Sequence, residues 1–230
     1  MKFIGVTISD FSDKYKELAT KSILSFLKLH DTKLIVYVIG DAVCPVEHDN
    51  LEIIRLPETK YDTSEFKLSG GRYENMINIL ISKLLCLTYH ENFIFFENDV
   101  FFLKNVENLW DNFPDGISAV RSLPCAINTG LLFVKNIKLD YTLADIHEYF
   151  NNNFVPYPCD YFISYLYRCV NNIRDGSCLL GLPHTYKKII DKLDTCSVVH
   201  CVGICKSIED KRHIPEFITK LMEKLDTIIQ

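Results

Sequence analysis

The sequence predicts an α/β fold with a mainly parallel central sheet. Two short segments, LIVYVI (residues 34–39) and FIFF (residues 93–96), are continuously apolar rather than alternating. Strands of this kind are buried on both faces, as in parallel sheets that carry helices on each side. Apolar stripes at helical spacing separate the strands along much of the chain, which indicates strands connected by helices.

The first quarter of the chain predicts strand, helix, strand and strand in that order. Residues 2–8 form the first predicted strand, and Ser12 and Asp13 then provide a helix N-cap and an acidic first turn. Residues 34–39 and 51–56 are the next two strands. The helix between them is predicted from apolar residues at near-helical spacing, namely Leu18, Ile23, Leu24 and Leu27.

The rest of the chain continues the alternation. Residues 61–73 are polar and contain Ser69-Gly70-Gly71, which predicts a mobile loop. Further strands are predicted at residues 93–96, 117–120, 128–134 and 197–200, and helices at residues 74–88, 139–150, 160–167 and 214–229. No internal repeat or long linker interrupts the 230 residues, so we expect one domain over residues 1–230.

Composition narrows the possible functions. A net charge of −5 argues against an extended nucleic-acid interface, which needs a basic stripe. The N-terminal apolar segment is too short for a signal peptide, and no run reaches the ~20 apolar residues of a membrane span. Nine cysteines, an odd number, indicate reduced core residues of a cytoplasmic protein. Cys201 and Cys205 have a spacing that could suit zinc, but no second pair follows at zinc-finger spacing.

The segment FIFFENDVFF (residues 93–102) ends an apolar strand with two carboxylates, Glu97 and Asp99. If the extended backbone persists, residues at i and i+2 point to the same side, where their like charges repel. A divalent cation between them would offset this repulsion, and such oxygen ligands suit Mg²⁺ or Mn²⁺. The alternative is a solvated acidic turn, and the spacing alone does not separate the two.

His200 ends another apolar strand and could supply a nitrogen ligand to the same cation. Mn²⁺ accepts mixed oxygen and nitrogen ligands better than Mg²⁺ does. Gly203 would let the backbone approach a phosphate closely, and Lys206 would neutralise that phosphate. The alternative for His200 is a purely structural histidine at a strand end.

Three further polar residues could contact a ligand, and each has a structural alternative. Asn128 could bind sugar hydroxyls or simply form a turn before a strand. Asp160 could reach a ligand or act as a helix N-cap. Lys83, inside an apolar helix, could reach a bound phosphate or extend its ammonium group to solvent.

In their order along the chain, these motifs resemble those of the GT-A glycosyltransferases of family 8, the glycogenin and bacterial galactosyltransferase group. FFENDVFFL (residues 95–103) is similar to the family's metal-binding DxD segment, YLDADVLVL. INTGLLF (residues 127–133) resembles FNSGVMV, and VHCVGICK (residues 199–206) resembles VHFxGxxKPW. Shorter likenesses are Asp160-Tyr161 to a DQ helix start, residues 81–84 to YxxKL, and residues 6–15 to the N-terminal strand, loop and helix.

The resemblance implies a GT-A fold, the Rossmann-like fold of nucleotide-diphospho-sugar transferases. It implies that a hexose is transferred from a UDP-sugar, with retention, to a glycan, protein or lipid-linked acceptor. It assigns Mn²⁺ or Mg²⁺ to Glu97, Asp99 and His200. The remaining implied contacts are Thr7, Ile8 and Tyr15 at the base and ribose, Gly203 and Lys206 at the diphosphate, and Lys83, Asn128 and Asp160 around the donor and its transferred sugar.

The chain also departs from the family pattern. Glu97 replaces the first Asp, Asn98 replaces a small residue, Tyr161 replaces a Gln, and Ser207-Ile208 replaces Pro-Trp. These departures motivate an alternative, a binding protein of the same fold that holds a nucleotide or glycan without turnover. A sugar nucleotidyltransferase is disfavoured, because residues 9–13 lack the glycine-rich, arginine-containing loop that would hold a triphosphate.

Overall fold

The computed structural model describes residues 2–67, 76–123, 126–153, 157–167, 170–182, 185–202, 204 and 215–230. Within these residues the chain is a mixed α/β structure with a large, mostly parallel sheet, which confirms the predicted class. The strands are β1 Ile4–Ser9, β2 Leu34–Ile39, β3 Leu51–Leu56, β4 Glu91–Phe96, β5 Val100–Phe102, β6 Gly116–Leu123, β7 Ala126–Lys138, β8 Val170–Asn172, β9 Cys178–Gly181 and β10 Val198–Cys201. The helices are α1 Asp13–Leu29, α2 Ile77–Leu87, α3 Glu107–Asn112, α4 Leu143–Asn152, α5 Pro158–Leu166, α6 Tyr186–Ile189, the 3₁₀ helix Ile190–Asp194 and α7 Pro215–Ile229.

Among the described strands, seven form the larger sheet, in the order β3-β2-β1-β4-β7-β6-β8. Each neighbouring pair from β3 to β4 is parallel, and so is the pair of β6 and β8. Strand β7 runs antiparallel to both β4 and β6. A smaller sheet has the order β5-β10-β9, with β5 antiparallel and β9 parallel to β10.

The continuously apolar strands are buried on both faces, as their composition predicts. In β4, Phe93 and Phe95 belong to the core beneath α2, α4 and α5, whereas Ile94 and Phe96 belong to the core beneath α1. Phe26 of α1 stacks on Phe96 with ring centroids 5.2 Å apart. Successive residues of one strand therefore pack against helices on opposite sides of the sheet.

The topology brings the C-terminal ends of β4 and β10 together, next to the end of β1. Val6 of β1 pairs with Phe95 of the parallel strand β4, and the Thr7 hydroxyl donates to the Phe96 carbonyl at 2.6 Å. His200 of β10 lies opposite Val100 of β5, immediately after the turn that follows β4. Side chains at the ends of β4 and β10 therefore meet at the edge of the sheet where ligands bind in open α/β folds.

Several boundaries differ from the predicted ones. Strands β2 and β3 have the predicted limits, but α4 begins at Leu143, because Thr142 and Asp145 form a capping box there. Ser12 occupies the N-cap position of α1 without a side-chain capping hydrogen bond. The short elements β5, β8, β9, α3 and α6 were not predicted, since three to six residues carry too little periodicity. Residues 61–67 contain no helix or strand, and residues 68–73 lie outside the described part.

The cysteines of the described part are buried free thiols, as predicted for core residues, namely Cys44, Cys86, Cys159, Cys178, Cys196 and Cys201. The remaining three, Cys125, Cys169 and Cys205, lie outside the described residues, so the zinc interpretation of Cys201 and Cys205 stays untested. None of the described helices combines the length and the apolar character needed to cross a lipid bilayer.

His30, at the C-terminal end of α1, forms a hydrogen bond with Val106, just before α3. Its burial makes the stability of the fold depend on pH. Its ring is 2% exposed, its Nε2 accepts from the Val106 N–H at 3.1 Å, and its Nδ1 lies 2.8 Å from the Phe26 carbonyl. Since the Val106 N–H can only donate, the ring is neutral and Nδ1 carries the hydrogen. Burial lowers the pKa of His30, and the hydrogen bond to Phe26 offsets this only in part.

We therefore expect stability to fall as the pH drops through the unfolded-state pKa of histidine. Between about pH 7 and pH 5, His30 binds a proton in the unfolded chain but not in the folded protein. The free energy of unfolding therefore falls by up to about 1.4 kcal/mol for each pH unit. His30→Gln should remove this part of the slope, measured as the urea unfolding free energy across that range. The exposed His48→Gln is the control. An unchanged slope in His30→Gln would contradict the prediction.

Candidate functional site

Glu97, Asp99 and His200 form a cluster at the ends of β4 and β10. His200 Nε2 lies 3.0 Å from Asp99 Oδ1 and 3.8 Å from Glu97 Oε2. One ligand-type atom from each residue lies within 4.8 Å of the other two. The three side chains that the sequence analysis assigned to a metal are therefore brought together by the fold.

The two carboxylates converge through a turn, so the extended backbone that the sequence argument assumed does not persist here. The Val100 N–H donates to the Glu97 carbonyl at 3.1 Å, which closes a tight turn between β4 and β5. The far side of this turn is tied to β10, because the Cys201 N–H donates to the Asp99 carbonyl at 2.8 Å. The Asp99 side chain is only 18% exposed and faces His200, which disfavours a solvated turn for Asp99, whereas the Glu97 side chain is 35% exposed.

The spacing of these three groups suits a divalent cation. Ligands at ~2.1 Å from an octahedral ion lie about 3 Å apart when adjacent. The observed 3.0 and 3.8 Å need only small adjustments to reach that arrangement. Two carboxylates with one imidazole form a mixed oxygen and nitrogen set, which Mn²⁺ tolerates better than Mg²⁺.

Lys83 is buried beneath the cluster, so the interpretation of a side chain extended to solvent is wrong. Its side chain is 3% exposed, and its Nζ donates to Glu97 Oε1 at 2.6 Å and to Thr129 Oγ1 at 3.1 Å. The ammonium also lies 5.1 Å from the centroid of the Phe95 ring. Glu97 thus spans two partners, with Oε1 on Lys83 and Oε2 towards His200.

Asp160 joins the same network through Thr129. Both the N–H and the hydroxyl of Thr129 donate to Asp160 Oδ1, at 2.9 and 2.6 Å. The N-cap of α5 is Tyr157, and Asp160 stands two positions inside the helix from Pro158. Asp160 therefore directs its carboxylate to β7, and the N-cap interpretation is wrong. Lys83 and Thr129 connect it to Glu97 in one chain of hydrogen bonds.

Asn128 and Gly130 lie inside β7, so the alternative of a simple turn before the strand is also wrong. Asn128 Oδ1 accepts from the Gly130 N–H at 3.0 Å and lies 2.7 Å from His200 Nδ1. The Glu97 N–H donates to the Gly130 carbonyl at 2.9 Å. The strand β7 thus borders the cluster on one side.

The charges in the network stabilise one another. Burial raises the pKa of Glu97, but the charges of Lys83 and His200 outweigh burial and hold the pKa below its usual value. Burial lowers the pKa of Lys83 and of His200, but neighbouring carboxylates outweigh it, and both pKa values lie above their usual range. Burial raises the pKa of Asp160, and the hydrogen bonds from Thr129 only partly offset this. A proton on His200 Nε2 would occupy the lone pair that a cation needs.

The proposed nucleotide contacts have less support from side-chain geometry. Thr7 is 1% exposed and bonded to the Phe96 carbonyl, and Ile8 is 6% exposed within the core. A nucleotide would therefore meet the backbone here rather than these side chains. Tyr15 lies in the first turn of α1, where it packs against the core around α7. Gly203 and Lys206 lie outside the described residues.

Thr129 and Gly130 stand in the segment INTGLLF (residues 127–133), but nothing in the sequence pattern assigned them a role. Their importance depends on contacts distant in sequence. A Cβ on Gly130 would lie 2.1 Å from His200 Cε1 and 2.8 Å from Glu97 Oε2, so only glycine fits this position without displacing the cluster. The turn between β1 and α1 also borders this edge, with Phe11 at a φ of 44°.

Comparisons with known proteins show the fold. No protein-family model matches the sequence, and no curated protein matches it. The structure is similar to the galactosyltransferase LgtC, solved with donor and acceptor sugar analogues, at a TM-score of 0.57 and 13% identity, covering 95% of this chain and 100% of LgtC.

Two further structures match at similar levels. The glycosyltransferase GlyE of Streptococcus pneumoniae has a TM-score of 0.57 and 12% identity over 99% of this chain and 63% of GlyE. The bifunctional glycosyltransferase WbbM has a TM-score of 0.53 and 12% identity over 96% of this chain and 51% of WbbM. The chain therefore has the fold of the GT-A glycosyltransferases, with a Glu-Asp-His cluster that could bind a metal at its sheet edge.

Proposed function

We propose that this chain is a metal-dependent glycosyltransferase of family 8. In this proposal, residues 1–230 form one domain that transfers a hexose from a UDP-sugar, with retention, to a glycan, protein or lipid-linked acceptor. The observation that carries the proposal is the convergence of Glu97, Asp99 and His200 beside the partly buried Asp160 in a glycosyltransferase fold. The sugar analogues bound to LgtC support a sugar donor and acceptor for a similar site.

The metal ligands would be Glu97 through Oε2, Asp99 and His200 through Nε2. A Mn²⁺ or Mg²⁺ ion held there would supply positive charge to the departing diphosphate. Lys83 keeps Glu97 ionised and directed, because its ammonium holds the other carboxylate oxygen. Gly203 and Lys206 are proposed for the diphosphate, and Thr7, Ile8 and Tyr15 for the base and ribose, on the sequence resemblance.

Asp160 is proposed to act on the transferred sugar. Thr129 fixes one oxygen of this carboxylate with two hydrogen bonds, which restricts its rotation. A carboxylate held in this way can stabilise positive charge that develops on the sugar ring, or attack the anomeric carbon. Both roles are compatible with retention.

A panel of nucleotide sugars tests the proposal. We expect Mn²⁺-dependent release of UDP from one or more UDP-hexoses, abolished by EDTA and restored by added Mn²⁺. Calorimetry with UDP and Mn²⁺ should be run on the same preparation. Binding without hydrolysis or transfer would support the alternative of a nucleotide- or glycan-binding protein. Neither binding nor turnover would overturn the proposed function.

A further inference from the structure

The Asn128 side chain contacts a metal-ligand candidate directly, although the sequence resemblance places it near the transferred sugar. Its Oδ1 lies 2.7 Å from His200 Nδ1 and 3.0 Å from the Gly130 nitrogen. The two contacts share one acceptor atom. They therefore determine which groups carry hydrogens.

The shared atom must be an oxygen, because the Gly130 N–H can only donate. His200 must then donate to it from Nδ1, since an oxygen of a carboxamide has no hydrogen to give. In the metal-free protein Asp99 can accept a hydrogen from Nε2 as well. When Nε2 gives up that hydrogen to bind a cation, the hydrogen on Nδ1 stays and the lone pair of the neutral ring lies on Nε2. Nε2 is the atom that faces Asp99 at 3.0 Å and Glu97 at 3.8 Å.

The neighbouring backbone restricts the ring further. The His200 ring occupies the space beside the Gly130 Cα. A Cβ added to Gly130 would lie only 2.1 Å from His200 Cε1 and 2.8 Å from His200 Nδ1. The His200 side chain itself is 4% exposed. Asn128 and Gly130 thus form one surface of β7 against which the imidazole is held.

We propose that Asn128 is a positioning residue that holds His200 in the tautomer whose Nε2 lone pair can bind a divalent cation. This inference rests on the proposed function for the presence of the cation. Groups that hydrogen-bond the second nitrogen of a ligating histidine fix its tautomer and orientation, and their loss lowers metal affinity about 10–100-fold. Asn128 therefore acts through His200 rather than on the sugar.

Mn²⁺ binding without any nucleotide sugar tests this role. Asn128→Leu removes the acceptor at similar volume and should weaken Mn²⁺ binding about 10–100-fold by calorimetry. Asn128→Asp keeps an acceptor oxygen and should stay near wild-type affinity or bind more tightly. Asn112→Leu, an exposed position at the end of α3, is the matched control. Wild-type Mn²⁺ affinity in folded Asn128→Leu would overturn the proposal.

A second measurement separates this inference from the proposed function. Ring-nitrogen NMR of metal-free Asp99→Ala at alkaline pH should show His200 as the Nδ1–H tautomer, because this variant lacks the carboxylate that competes for a hydrogen on Nε2. Adding Asn128→Leu to Asp99→Ala should shift the population towards Nε2–H. If the wild type binds no Mn²⁺, the proposed function fails, whereas the tautomer still tests the contact between Asn128 and His200. An Nε2–H tautomer in Asp99→Ala would overturn the inference itself.

Discussion

Asp99→Ala is expected to lower Mn²⁺-dependent release of UDP from a UDP-hexose by about 10²–10³-fold in kcat/KM. Asp99 lies 3.0 Å from His200 Nε2 and provides one of the two carboxylates of the proposed metal site. A cation supplies several kcal/mol of charge stabilisation to a departing group, and each ~1.4 kcal/mol corresponds to a factor of ten. The measurement is the initial rate at saturating Mn²⁺.

The control for Asp99→Ala is Asp41→Ala, which removes the same charge from an exposed position after β2. Asp41→Ala should retain wild-type turnover. Circular dichroism and the fluorescence of Trp110, the single tryptophan, should show that both variants are folded. Unchanged turnover in Asp99→Ala would exclude the assignment of this cluster to metal-dependent catalysis.

Glu97→Gln is expected to destabilise the protein by about 3 kcal/mol, because it removes the carboxylate that pairs directly with the buried Lys83 ammonium. The Lys83 side chain is 3% exposed, and it also contacts the Thr129 hydroxyl and the Phe95 ring, which are both uncharged. Lys83→Met should cost less, since the Glu97 side chain is 35% exposed and water can solvate its carboxylate. The double variant should regain most of the loss, because neither charge remains. Urea unfolding followed by Trp110 fluorescence measures all three variants.

An exposed ion pair provides the matched control for this cycle. Glu52→Gln removes the same charge beside Lys33, where both side chains are more than 40% exposed, and should change stability little. Additive losses in the Lys83→Met and Glu97→Gln double variant would show that the two residues do not depend on each other. That result would contradict the buried ion pair as a unit of this site.

Much of the architecture could be predicted because it depends on local pattern. The uninterrupted apolar runs of β2 and β4 indicated strands covered on both faces, and the structure confirms this. The position of Glu97 and Asp99 at the end of β4 followed from the same run. The short strand β5 was missed, because its three residues continue an apolar segment and only its pairing with β10 defines it as a strand.

The contacts of the polar residues could not be predicted in the same way. From the sequence, the Lys83 side chain could extend to solvent or reach a bound phosphate. In the structure it pairs with Glu97, 14 residues away. From the sequence, Asp160 could be a helix N-cap or contact a ligand. In the structure its carboxylate accepts hydrogen bonds from Thr129, 31 residues away. The alternatives for each residue differ little in local free energy, so the packing of α2 and α5 against the sheet decides between them.

By itself, the sequence determined the α/β class, the mainly parallel sheet and the candidate metal ligands Glu97, Asp99 and His200. These follow from hydrophobic periodicity and from polar residues at strand ends, which are properties of short segments. Only the tertiary structure decided that Asn128, 72 residues from His200, shares its oxygen with that ring and with Gly130. The physical reason is that a hydrogen bond depends on a few tenths of an ångström between atoms, and strand pairing and helix packing set that distance.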